Sequence, residues 1–165
     1  MQSLKMGVLG LCALLASSAA FAGDHKKQHA SAEDKAKVQV VMNMVDAWNT
    51  QDWDRVVDLF TEDGVLHSMM VEPIVGHEAL SARIGHIGEG IEEITLHLKH
   101  IGVVGDVVFV ERVDEFVYKG HAGSVPVVGV IEVEGDRVQE WREYYDRAEL
   151  LEAMGVTTDF DAEAR

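Results

Sequence analysis

Apolar residues recur first at helical spacing along this chain and later at strand spacing. Val38, Val41, Val45 and Trp48 lie three and four apart, which predicts one amphipathic helix from Glu33 to about Asn49-Thr50. Asp52 then caps a shorter helix carrying Val56, Val57, Leu59 and Phe60, with Glu62-Asp63-Gly64 expected to stop it. A short strand from Val65 to Met69 follows. After Pro73, the stretch from His77 to Ile87 reads as a third helix, which Gly88 and Gly90 are expected to interrupt.

The period then changes to two. Glu92 to Gly102, Val107 to Tyr118, Ser124 to Val133 and Arg137 to Tyr145 predict four strands, separated by turns at Gly105-Asp106, Gly120 to Gly123 and Gly135-Asp136. Helices first and an antiparallel meander afterwards make an α+β domain with its helices on one face. A last amphipathic stretch from Arg147 to Met154 is expected to cover an open end. The domain should span residues 33–155, with a tail at 156–165.

The amino terminus carries a different pattern. Lys5 precedes an apolar run from Met6 to Leu15, and Ala20-Phe21-Ala22 stands just before Gly23-Asp24, the layout of a signal peptide cleaved after Ala22. The run is short for a membrane span and meets polar residues at once. Residues 23–32 are polar and aperiodic, so a disordered lead-in is expected. The mature protein would be periplasmic or secreted and free of the membrane. Cleavage removes Cys12, the only cysteine, which excludes thiol nucleophiles and disulfides from the remaining 143 residues. It also removes one lysine and takes the net charge from −15 to −16. Such a surface repels phosphate backbones, so nucleic acid is not an expected partner; neutral or cationic small molecules are.

The candidate chemistry lies in the second long strand. Val108, Val110, Arg112, Asp114, Phe116 and Tyr118 alternate onto one face, which sets two charges in an apolar stripe. On a pocket wall Arg112 and Asp114 would be desolvated and need partners. Trp141, Glu143 and Tyr145 share a face of the last strand, so Glu143 can meet Arg112 across the sheet. Two carboxyl groups on one guanidinium need not titrate alike: one can serve as general base, the other as general acid. A structural ion-pair network inside a small barrel would carry the same residues.

Glu111-Arg112-Val113-Asp114 and Trp141-Arg142-Glu143-Tyr144-Tyr145-Asp146 resemble the motifs of the limonene-1,2-epoxide hydrolase family in order and spacing. The similarity runs from about Val38 to Gly155 and takes in Phe60-Thr61-Glu62-Asp63, Gly76, His100-Ile101-Gly102 and Gly129-Val130. It implies the cone-shaped fold of nuclear transport factor 2-like and ketosteroid-isomerase-like proteins, in which a curved mixed sheet and N-terminal helices enclose an apolar cavity. It further implies a homodimer formed through the outer sheet surface, and a one-step hydrolysis of a small hydrophobic epoxide with no metal, cofactor or covalent intermediate. By position, Asp114 resembles the acid, Arg112 the bridge between the carboxyl groups, and Trp141 the pocket tryptophan, while Glu143 stands where the family has an aspartate base. Phe116 and Val127 are expected to bound the cavity. Where the family holds the attacking water with a Tyr and an Asn, this chain has Leu66 and Ser68.

Those departures leave two other classes open, a non-catalytic ligand-binding or assembly module and an isomerase or dehydratase. Among the histidines, His97 and His100 stand three apart on one strand and are expected on opposite faces, unable to share one ion. Met69-Met70 is expected to line a cavity. Mass spectrometry of the exported protein should find Gly23 as its first residue; intact Met1, or a lipid on Cys12, would contradict the cleavage site.

Overall fold

A computed structural model describes residues 30–156, so the proposed leader, most of the lead-in and most of the tail lie outside the described residues. Helix α1 (Ala32–Asn49) starts on a capping box, the Ser31 hydroxyl accepting from the Asp34 amide while the Asp34 carboxylate accepts from the Ser31 amide. Its buried stripe is Val40, Val41, Met44, Val45 and Ala47. Asp52 caps α2 (Trp53–Asp58) by accepting from the Arg55 amide.

The next element departs from expectation. Strand β1 (Phe60–Ser68) begins at Phe60 and runs straight through Glu62-Asp63-Gly64. Phe60 is buried and pairs with Val138, and the extra residues are absorbed as a bulge before pairing resumes at Val65. Gly64 sits at that bulge because a Cβ there would come within 2.8 Å of the Cβ of Phe60. A two-residue strand, β2 (Ile74–Val75), pairs with β1 and was not legible in the periodicity.

Helix α3 (His77–Gly90) likewise continues through the glycines expected to break it. A Cβ on Gly88 would lie 2.7 Å from the indole nitrogen of Trp53, and one on Gly90 only 2.1 Å from the Tyr118 ring. These glycines permit close approach of neighbouring rings within a continuous helix.

Strands β3 (Ile91–Val104), β4 (Val107–Tyr118), β5 (His121–Glu134) and β6 (Arg137–Tyr144) follow as an antiparallel meander. The β4–β5 hairpin is tighter than the predicted turn: Tyr118 pairs with His121 across Lys119 and Gly120, both at positive φ. In the curved six-stranded sheet the order is β2-β1-β6-β5-β4-β3, with β1 parallel to β6. This is the nuclear transport factor 2 and ketosteroid isomerase-like fold. Helix α4 (Arg147–Ala153), capped by Asp146, packs on β5.

One core cluster packs α1, α2 and α3 on the sheet around Met44, Phe60, Ile84, Ile131 and Trp141; a second gathers Phe116, Tyr118, Val125, Val127 and Met154 beneath α4. Two substitutions in α3 separate helix propensity from packing. Gly85 has open space around its Cβ position, so Gly85→Ala should stabilise the fold by up to about 1 kcal/mol. Gly90→Ala should cost about 1–3 kcal/mol through the clash with Tyr118. Denaturant unfolding of both variants checks the opposite signs.

Candidate active site

Alternation along β4 turns Arg112, Asp114 and Phe116 inward together with Val108 and Val110. Arg112, 3% exposed, is the one charged residue among the buried side chains of the described residues. Its Nε donates to Oδ1 of Asp114 at 2.7 Å and its Nη2 to Oδ2 at 3.0 Å, a two-pronged pair along one strand. Nη2 also donates to Oε1 of Glu143 on β6.

Strand β5 lies between β4 and β6, so the guanidinium has to cross it. It does so where β5 carries no side chain: Gly129 is the register partner of both Val110 and Glu143. A Cβ on Gly129 would meet Val110 Cγ1 at 2.8 Å, Trp141 Nε1 at 3.0 Å and Arg112 Nη1 at 3.2 Å. The Arg112 guanidinium also lies over the Trp141 ring, 5.2 Å from its centroid.

Burial disfavours the charge on Arg112, but attraction to Glu143 and Asp114, with the hydrogen bonds to both, outweighs it and raises the guanidinium pKa above its ordinary value. Asp114 moves in the proton-holding direction. Its pKa is raised by burial foremost and by the neighbouring Glu143, against the lowering influence of Arg112 and the smaller one of His97.

The two carboxyl groups stand on the wall of a cavity of about 710 Å³. Leu66, Ser68, Phe116 and Val127 line it as the strand faces predict, together with Ile94, Val125, Leu150 and Met154. Trp141 does not line it. This corrects its expected place: Trp141 is 2% exposed and borders instead a smaller chamber of about 80 Å³, shared with Arg112, because it lies deeper in the sheet beneath the guanidinium. Tyr145 was legible only as a neighbour of Glu143 on the β6 face. It reaches the cavity, and its hydroxyl donates to Ser68 Oγ at 3.1 Å. The signal was the alternation 141, 143, 145; the partner came from the parallel pairing that sets Ser68 opposite Glu143.

Two further expectations change. A bulge between Leu98 and His100 brings His97 and His100 onto the same outer face, where each ring pairs with a glutamate, Glu115 at 3.0 Å and Glu111 at 2.7 Å. Met69 and Met70 are exposed and outside the cavity lining. Among the described residues no group of three or more His, Cys, Asp or Glu is arranged to hold a metal ion.

A profile of the SnoaL-like domain matches residues 41–141. The fold is similar to that of an LEH-like epoxide hydrolase from M. tuberculosis, 22% identical over 74% of this chain and 91% of that one, TM-score 0.66. It is also similar to a candidate SnoaL-like polyketide cyclase from a Jannaschia species, 20% identical over 79% and 99%, TM-score 0.68. A third likeness is a hypothetical protein of ketosteroid isomerase-like fold from Catenulispora acidiphila in complex with trimethylamine, 21% identical over 72% and 93%, TM-score 0.64.

Because Asp114 binds its proton more tightly in the folded chain than in the unfolded one, its contribution to stability is fully present below the ordinary carboxyl pKa and falls as pH rises through the raised value. Asp114→Asn removes that fall. The stability of the variant relative to the natural protein should therefore rise as pH increases above the ordinary carboxyl pKa of about 4, read by denaturant titration; a flat difference would show that burial does not raise this group.

Proposed function

This chain belongs to the SnoaL-like domain family, and from Arg112 holding Asp114 and Glu143 on the wall of an apolar cavity we propose that it adds water to a small hydrophobic epoxide in one acid- and base-assisted step. The observation that carries this reading is one buried guanidinium shared by two carboxyl groups, of which Asp114 has its pKa raised by burial. A carboxyl group that keeps its proton suits the donor to the ring oxygen, and its counterpart across the guanidinium suits the acceptor of a proton from water. Arg112 holds both at fixed positions and stabilises charge as it moves from one to the other. The aliphatic and aromatic lining selects an apolar ring, and the name of the M. tuberculosis protein of this fold agrees with that chemistry.

The exported protein would work in the periplasm or outside the cell. As a homodimer it would pair through the outer sheet face, where Phe109, Val128 and Tyr144 are exposed. A second reading, a binding module that performs no chemistry, is favoured by Leu66, an aliphatic side chain on the cavity wall that offers water nothing to bond.

Hydrolysis of a panel of apolar epoxides in ¹⁸O-labelled water separates the readings. The label should enter the diol directly, with no labelled carboxylate left on the protein. Asp114→Asn and Glu143→Gln should each lower kcat by at least ~10²-fold. No diol from the natural protein, nor from Leu66→Tyr combined with Ser68→Asn, would leave the binding module as the function.

A further inference from the structure

The chamber of about 80 Å³ adjoins the large cavity, the two sharing Trp48, Leu66, Ile94, Asp114 and Glu143 as common walls. Its far side is Phe60, Leu96, Arg112 and Trp141. Three of the residues around it carry buried N–H groups with no hydrogen-bond partner among the described residues: Nη1 of Arg112, Nε1 of Trp141 and Nε1 of Trp48. Two of these are close together, Trp141 Nε1 and Arg112 Nη1 lying 3.0 and 3.2 Å from the place where Gly129 would carry a Cβ. Resting on the hydrolase reading above, we propose that this chamber is the seat of the water the reaction consumes, with Arg112 and Trp141 donating to its oxygen and Glu143 accepting its hydrogen.

Size and charge select the ligand. The unmet groups are all donors, so they need an acceptor. An anion would be set against two carboxyl groups, whereas a neutral oxygen is not. The volume exceeds the ~10–15 Å³ that one water requires, and the mixture of donors and acceptors matches the two to four polar partners a buried water takes.

A hydrolase with an apolar pocket also faces a problem that this arrangement solves. A substrate filling the large cavity displaces water held loosely there, so the nucleophile has to be kept in a place the substrate does not enter. The hydroxyls of Ser68 and Tyr145, two of the polar groups on the cavity wall, bond to each other and lie in the substrate's own space.

In the step itself the water oxygen bonds to one ring carbon and passes a proton to Glu143. The carbon–oxygen bond breaks with its electron pair going to the ring oxygen, which takes the proton of Asp114. Proton return from Glu143 to Asp114 as the diol leaves restores the site. Trp141 acts here as a positioning residue, through the water.

High-resolution crystals of the protein should show an electron-density peak within hydrogen-bond reach of both Arg112 Nη1 and Trp141 Nε1, retained when a diol occupies the large cavity. Trp141→Phe keeps the ring and its packing but removes the N–H. It should lose the peak and lower kcat about tenfold or more with KM changed by less than about twofold. Absence of the peak, or full kcat in Trp141→Phe, would overturn the proposal. Should Trp141→Phe not fold, the density in the natural protein still decides. If the natural protein yields no diol at all, the hydrolase reading fails and the water loses its role as nucleophile; the peak then decides the seat alone.

Discussion

The guanidinium of Arg112 is buried against Asp114 on its own strand and Glu143 two strands away, and the geometry of the inner sheet face is arranged around that crossing. A charge this deep is tolerated only with opposite charge and hydrogen bonds around it. Removing either carboxylate would leave the cation underpaired, and removing the cation would leave two carboxyl groups together near apolar side chains. Both consequences tie the position of β6 to that of β4, beyond what backbone pairing through β5 supplies.

Glycine is what makes the crossing and its surroundings close enough. Gly129 leaves the middle strand bare beneath the guanidinium and the Trp141 indole. Gly88 and Gly90 do the same for α3, letting it press against Trp53 and Tyr118 without a break in the helix. The conformational cost of glycine in a helix is modest, about 1 kcal/mol each relative to alanine, and is offset where aromatic rings pack in the space so left. The cavity takes its shape from the same devices: Tyr118 held by α3, Phe116 and Val127 under α4, and Trp141 drawn below the floor instead of into the opening.

The proposed chemistry rests on one guanidinium shared by two carboxyl groups. Asp114 and Glu143 share one cation, yet burial raises the proton affinity of Asp114, and the larger cavity and the inner chamber meet at these two residues. In the proposed reading they would act as acid and base toward a neutral, strained ring held in the mostly apolar space. The same wall would serve a proton shuttle or a binding site, which is why the chemistry has to be read from rates and isotopes, since this fold carries several activities.

The amino-acid sequence by itself determined the elements whose signals are local. The helix cap at Asp52, the period of two from residue 92 onward and the glycine turns at 105 and 135 depend on neighbours within a few positions, so they can be read from the chain. The same alternation put Arg112 and Asp114 on one face and Glu143 with Tyr145 on another. Tertiary structure decided what depends on pairing between distant segments. The bulge that carries β1 through Glu62-Asp63-Gly64 exists because Phe60 pairs with Val138, and the bulge in β3 that turns His97 and His100 to the same side exists because of its register against β4. Whether a glycine breaks a helix or admits a ring, and whether Trp141 walls the cavity or lies beneath its charged group, is set by what packs against it. Those neighbours lie tens of residues away in the chain, where periodicity carries no information about them.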